Sequence, residues 1–301
     1  APLGAVTLEQ KRSATDYLMR AGADIRDINC VRRHLSALKG GRLAQAAHPA
    51  RVITLAISDV PGDVIGDIAS GPMTPDVTTA AQAAEILTRH DYPSRGELAA
   101  VLTDSRYDSP DPEDPAFASD SAEVIASSGI SLDAAQQQLE SAGYVVHRLG
   151  DHLTDIARDL GRAHAELALE FANTDLPVAM LSGGETRVVV SGKLGRGGRN
   201  LEYLAGLALG LDGHGNIVAL AADTDGIDGN ADHAGAVVTP ATLALGREVG
   251  LDLVDLLNQN DTYRYFQACK LLLMTGPTRT NVNDFRLILV NPLVEENPGG
   301  D

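Results

Sequence analysis

The chain has 301 residues, 44% apolar and 22% charged, enough to bury one sizeable core or two modest ones, which excludes disorder over its whole length. Its apolar runs fall far short of the ~20 residues a membrane-spanning helix needs, and 41 acidic against 24 basic side chains give a net charge of -17 that argues against a nucleic-acid partner. The two cysteines, Cys30 and Cys269, are far apart and carry no zinc or disulfide pattern, which fits a reducing cytoplasm, and the opening Ala-Pro-Leu-Gly reads as a break inside a longer chain.

In chain order, Thr7 and Gln10 have capping-box spacing and open a helix to about Arg26. A second helix is expected from Asp27 to Ala47. The continuous apolar run Arg51 to Ile57 predicts a strand buried in a parallel sheet, with the loop Ser58 to Asp76 at its C-terminal end. Pro110, Pro112 and Pro115 among acidic residues make Asp104–Asp120 the candidate linker. Beyond it, strands at 123–126, 144–148 and 177–181 alternate with helices near 133–142 and 153–173, the pattern of an α/β layer sandwich. Val178–Leu181 and Thr186–Val190, divided only by Ser182 to Glu185, have hairpin spacing, so a mixed sheet is expected. A helix at 200–211, a strand at 217–222, helices near 241–250 and 253–258, and strands at 271–275 and 287–290 complete the reading.

Polar, glycine-rich segments beside these strands are where ligands of α/β proteins gather. Asp59 and Asp63 leave the first strand beside a Pro-Gly turn, where one could accept a substrate proton or hold Mg²⁺; turn chemistry alone would also account for them. Gly192 to Asn200, with Arg196 and Arg199, enters a helix, and its N–H groups and guanidinium groups could make an anion site; an exposed loop with solvated arginines is the alternative. Asp223, Asp225 and Asp228 offer hard oxygen ligands for a divalent ion or turn-stabilising acceptors. The twelfth position from Asp223 is Ala234 instead of Glu, so this is not an EF-hand loop. Thr275 to Asp284 brings hydroxyls and amides after a strand. The basic stretch Arg32, Arg33, His34, Lys39 and Arg42, with Gly40 and Gly41, could draw in an anion or simply be solvated. No GxxxxGK[ST], GxGxxG after a strand, GxSxG or HExxH occurs.

Taken in order, Asn29 to Ala44, Ser58 to Asp63, Leu181 to Thr186, Gly197 to Glu202, Asp223 to Gly229 and Thr275 to Asp284 closely resemble the glycerate 2-kinase family that contains the MOFRL domain. The resemblance implies a two-domain, three-layer α/β/α sandwich with a mixed-sheet C-terminal domain. On that pattern, residues 1–115 are the remainder of an N-terminal Rossmann-like α/β domain whose first part is missing. Residues 116–301 are the C-terminal domain, with the MOFRL region at about 177–291.

It further implies ATP- and Mg²⁺-dependent phosphoryl transfer to the 2-hydroxyl of D-glycerate, in the cytoplasm. Members are often labelled hydroxypyruvate reductases of tartrate degradation. An NAD(P)H-dependent reductase and a non-catalytic metabolite-binding module are therefore the alternatives. The expected catalytic residues are Asp63, Asp59 and Arg199. Substrate or nucleotide is expected at Lys39, Arg42, Ser182, Gly183, Gly184, Glu185, Thr186, Arg196, Asn200, Thr275, Gly276, Thr278, Thr280 and Asn281, and Mg²⁺ at Asp223, Asp225 and Asp228. The partner is a small hydroxy acid, with neither nucleic acid nor membrane, and a homodimer is the default assembly. Arg279 and Lys270 depart from the pattern, standing where a small residue, and Gly or Asp, are usual.

Overall fold

The computed structural model describes residues 1–190, 195–229 and 231–293. Residues 192–194 of the expected anion loop and Asn230, at the end of the acidic turn, lie outside the described residues. The chain divides into two compact units, residues 1–125 and 126–301, so the division falls beyond the proline-rich stretch.

The first unit is mainly helical: α1 (Leu8–Arg20), α2 (Ile25–His34), α3 (Arg42–Ala47), α4 (Ala80–Arg89) and α5 (Arg95–Leu102). Both halves of the Thr7/Gln10 capping box form at α1, and Thr79/Gln82 repeats the device at α4. Leu18, Val31, Leu35, Leu87 and Leu98 are fully buried in its core. The single helix expected over 27–47 is interrupted because Gly40 and Gly41 take left-handed backbone (φ 62° and 81°). Gly41 then becomes the N-cap of α3.

The strand β1 (Ile53–Ile57) forms, but its expected burial does not. It pairs with β2 (Ser121–Ala126) in a two-stranded sheet that leaves Ile53 63% and Leu55 61% exposed, because among the described residues no helix covers it. The stretch 104–120 holds two short 3₁₀ turns, each started by an aspartate side chain, Asp104 and Asp114, accepting a backbone N–H.

The second unit comprises α6 (Ser128–Ser141), β3 (Val145–Leu153), α7 (Ala157–Glu170), β4 (Val178–Gly184), α8 (Arg199–Leu211), β5 (Ile217–Asp223), β6 (Gly235–Val238), α9 (Thr242–Glu248), α10 (Leu253–Asn258), α11 (Thr262–Ala268), β7 (Leu272–Leu273) and β8 (Asp284–Val290). The sheet order is β3-β4-β8-β5-β6-β7; β3 and β4 run parallel and the remaining pairs antiparallel. This is the expected α/β class with a mixed sheet.

The predicted hairpin is absent, however. β4 continues to Gly184, and among the described residues the β-pairing of the segment after it is an isolated parallel bridge between Arg187 and Ile156. The antiparallel partner of β4 is β8, a distant strand, with Val178 opposite Val290 and Gly184 opposite Asp284. Gly183 and Gly184 serve close approach in place of a turn. A Cβ on Gly183 would lie 2.1 Å from the Ser128 hydroxyl on α6, and one on Gly184 2.2 Å from the Leu153 nitrogen.

Side-chain alternation assigns the faces. Val178, Met180, Ile217, Ala219, Ile288 and Val290 join α7 and α8 in one core, while Gly183 meets Ser128 and Leu132 of α6 on the other side. The sheet therefore lies between two helical layers. α8 is buried along most of its length, and α7 approaches it closely because a Cβ at Gly161 or Gly206 would strike the opposing backbone at 2.0 or 2.1 Å. Full burial of Leu201, Leu204 and Leu207 stabilises the pair by about 1.5–3 kcal/mol each. The N-terminus of α8 is thereby fixed over one end of the sheet.

Candidate active site

At that end, strand register sets Gly184, Asp284 and Asp223 side by side. Directly opposed antiparallel residues share a face, so both carboxylates point toward the start of α8. Arg199, the first residue of that helix, donates from Nε to Asp284 Oδ1 at 2.8 Å and from Nη2 to Asp223 Oδ2. Its Nη1 lies 3.7 Å from the more exposed Glu185. Burial alone would lower the Arg199 pKa, but Asp284, Asp223 and Glu185 outweigh it and hold the guanidinium charged. Burial pushes Asp223 up to about 6, with Asp284 and Asp225 adding to it against the pull of the Asp225 N–H and Arg199.

Asp284 is the hub. Its Oδ1 also accepts from Asn200 Nδ2 at 2.8 Å, and its Oδ2 accepts from Arg286 Nη2 at 2.5 Å. Arg286 is 1% exposed and donates further to the Gly183 carbonyl at 3.0 Å and to the Thr186 hydroxyl at 3.4 Å. Ser182 sits buried opposite Arg286 in the register. Neither Asp284 nor Arg286 was assigned a role from sequence. A signal existed: an acid and a base two residues apart on the inward face of an otherwise apolar strand have to pair when buried.

The acidic turn does not act as one ligand cluster. Asp228 is fully buried, and its oxygens accept the backbone N–H groups of Asn200 and Leu201 at 3.2 Å each. It thus caps α8 from a distant loop, next to Gly198, which supplies no capping side chain; a Cβ on Gly198 would lie 2.3 Å from that carboxyl. Burial raises Asp228 to about 7. Asp228 is thus engaged as a cap, and among the described residues no group of three or more His, Cys, Asp or Glu side chains is arranged to hold a metal ion by itself.

Asp225 remains half-buried. Its Oδ1 accepts from the Ile227 N–H at 2.7 Å, and its carbonyl takes the Thr278 N–H at 2.9 Å. The Thr275–Asn281 loop is laid along this turn. Thr278 donates its hydroxyl to the Thr224 carbonyl, Asn281 accepts the Asn283 N–H, and Gly226 sits so close to Gly276 that a Cβ would lie 2.1 Å from its carbonyl. Thr275, Gly276, Thr278 and Thr280 are exposed along it. Arg279 and Lys270 both adopt left-handed backbone, at φ 67° and 58°. Arg196 stands apart, half-exposed, paired with Asp232 at 3.2 Å and stacked on Tyr263. A cavity of 360 Å³ beside Arg199 is lined by Thr186, Val188, Val190, Glu202 and Asn260.

In the first unit, Asp59 is exposed and Asp63 half-buried on left-handed backbone (φ 54°). The Arg42 guanidinium braces the loop, donating to the carbonyls of Arg33, Lys39 and Tyr107 at 2.7 to 3.1 Å. Lys39 donates to the Ala69 carbonyl, and burial, with Arg32, Lys11 and Arg33, lowers its pKa to about 8.

Residues 1–103 match a family described as a domain of unknown function (DUF4147), and residues 178–284 match the MOFRL family. A putative hydroxypyruvate reductase of Agrobacterium vitis is 44% identical over 96% of this chain and 66% of its own length. The D-glycerate 2-kinase of Thermotoga maritima is 35% identical over 96% of the chain and 68% of its own length. A crystal structure of glycerate kinase from Thermotoga maritima superposes with a TM-score of 0.88 at 35% identity, covering 96% of this chain and 69% of that one.

The chain belongs to the glycerate kinase family with a MOFRL domain.

It spans about two-thirds of the length of these relatives. Within the MOFRL match fall Arg199, Asn200, Asp223, Asp228 and Asp284 of the α8 network, and Asp225 beside them, while Arg286 lies two residues beyond it.

Proposed function

We propose that the protein is a glycerate 2-kinase, moving a phosphoryl group from ATP with Mg²⁺ to the 2-hydroxyl of D-glycerate. The observation that carries this reading is the guanidinium of Arg199, held by Asp223 and Asp284 at the start of a buried helix in a chain of this family. Phosphoryl transfer leaves little covalent work to the protein and depends on positioning and on stabilising spread negative charge. A guanidinium already fixed by two carboxylates meets that charge without reorganising.

A Mg²⁺ ion takes one or two carboxylates and completes its shell with water and phosphate oxygens. Asp225, half-buried and next to the Asp223 site, fits that demand and would hold it. When bound, the ion supplies charge neutralisation on the phosphates. The exposed hydroxyls and N–H groups of Thr275 to Asn281 beside this turn are assigned to phosphate oxygens, and Glu185 and Thr186 to the substrate side of Arg199. Asp63, ahead of Asp59, is assigned to orient or deprotonate the attacking hydroxyl.

A second reading, an NAD(P)H-dependent hydroxypyruvate reductase, is favoured by the name of the 44% identical relative, a putative hydroxypyruvate reductase. The two separate in one experiment, in which ADP release from Mg·ATP with D-glycerate is followed beside NADH oxidation with hydroxypyruvate. ADP release alone supports the kinase, and NADH loss alone overturns it. Neither signal makes the protein a binding module.

A further inference from the structure

The cavity beside Arg199 has an inner wall that the α8 network does not explain. Glu202 and Asn260 both line it, and both are buried, at 2% and 4% exposure. Glu202 lies one turn along α8 from Arg199. From α7, Arg158 donates to Glu202 Oε2 through Nε at 3.1 Å and Nη2 at 2.9 Å, and its Nη2 also reaches the Leu257 carbonyl of α10 at 2.9 Å. The other carboxylate oxygen, Oε1, accepts from Asn260 Nδ2. Replacing a buried ion pair by apolar packing of the same volume is often neutral or stabilising, so this pair is not accounted for by stability alone.

What the pair holds is Asn260. That residue follows α10 in left-handed backbone (φ 53°), a region that asparagine tolerates. Its Nδ2 donates a second bond, to the Val189 carbonyl at 3.2 Å. Val189 lies between Val188 and Val190, which line the cavity, in the segment that begins after β4 with Glu185 and Thr186. Among the described residues that segment forms no strand beyond the Arg187 bridge, so its far end is tied to α8 through Asn260 and Glu202. The Asn260 backbone meets the loop before α8 as well, since a Cβ on Gly195 would lie 2.6 Å from its carbonyl oxygen. Three walls of the cavity therefore join at one side chain and its backbone.

We infer that Asn260, oriented by the Glu202–Arg158 pair, is a positioning residue for the hydroxy acid, setting how far the valine wall stands from Arg199. The assignment rests on the kinase reading only for the identity of the acid and the chemistry that follows its binding. Thr186, on the substrate side of Arg199, lines the same cavity, while Arg199 is held separately by Asp223 and Asp284. A displaced wall thus loosens the acid and leaves the guanidinium in place, which is a KM effect with kcat nearly unchanged.

Two variants test this. Asn260→Asp keeps the shape of the side chain and its tolerance of left-handed backbone, but removes the donor to Val189 and sets a second carboxylate against Glu202. Glu202→Gln/Asn260→Asp reverses the pair, with the amide now at 202 and the carboxylate at 260, so the buried bond is regained while Val189 still has no donor from position 260. ADP release kinetics, calorimetric titration of D-glycerate and hydroxypyruvate, and thermal midpoints are compared with the unaltered protein. Asn260→Asp should lower the midpoint and raise the KM for D-glycerate about five- to tenfold, with the KM for Mg·ATP within about twofold. The reversed pair should regain most of the midpoint and keep the raised KM, and it decides alone where the single variant does not fold. A KM that recovers with the midpoint, a reversed pair no more stable than the single variant, or a wild-type KM in Asn260→Asp overturns the role. Absence of ADP release from the unaltered protein sinks the kinase reading by itself. The calorimetric affinities then carry the same test: a loss kept in the reversed pair upholds the positioning role, and its recovery, or no binding of either acid, overturns it.

Discussion

Arg199 is poised by its neighbours, because two carboxylates on adjacent strands fix the guanidinium plane before any ligand arrives. Arg199→Ala should lower kcat by ~10²–10³ with the fold intact, as loss of a charge-stabilising donor commonly does. Steady-state ADP release with circular dichroism checks both halves, and turnover within a few-fold of wild type removes Arg199 from the mechanism. Asp284→Asn should be more damaging to structure than to chemistry alone. It leaves Arg286, 1% exposed, without its anionic partner, so a fall in thermal midpoint together with kcat is expected. Asp223, Asp225 and Arg199 were legible as candidates from their glycine-rich surroundings. The capping role of Asp228 was not legible, because an aspartate that accepts a helix N–H 28 positions away looks, in sequence, the same as one facing a metal.

Among elements, α8 depends on what other elements bring to it. Gly198→Ala should displace the start of α8, since the added methyl would overlap the Asp228 carboxyl. Hydrogen exchange at the Asn200 and Leu201 amides should rise, and activity should fall with it. The end of α11 makes the opposite kind of prediction. Lys270 sits at left-handed φ where the chain leaves the helix, with Leu271 N–H returning to the Phe266 carbonyl. Lys270→Gly should therefore stabilise the protein by about 0.5–1 kcal/mol, measured as a shift in urea midpoint at unchanged slope. The capping box Thr7/Gln10 made α1 readable in advance, while α4, which Thr79/Gln82 caps in the same way, was not read. The pairing of β4 was not readable either, because spacing reports that two strands are near in sequence, and says nothing of a third strand, β8, that pairs more completely.

For the whole molecule, the two units should answer pH in opposite directions. In the first, Asp76 is buried, which alone would raise its pKa, but His34, Thr78 and Arg33 bring it down to about 2. Its folded pKa is depressed, so the stability it contributes, ~2 kcal/mol by linkage, is present above about pH 4 and lost as pH falls through 2. In the second, Asp228 is raised to about 7, so its contribution is full below about pH 4 and lost as pH rises through 7. Hydrogen exchange followed by mass spectrometry from pH 2 to 8, corrected for intrinsic rates, should show the first unit loosening at the acid end and the α8 region at the neutral end. Uniform behaviour across both units would contradict this.

Composition and local pattern were enough to establish the α/β class, most helices and strands of the second unit, and the polar segments among which ligands would be sought. Those features depend on the periodicity and turn chemistry of neighbouring residues, and such information is carried in a short window. Tertiary structure alone decided which polar residues meet. Asp223 and Asp284 are 61 positions apart in the chain, yet opposed in adjacent strands, and only their register turns both toward Arg199. Exposure was decided the same way: β1 reads as a buried strand because its residues are apolar, and whether anything covers it depends on elements outside its own sequence.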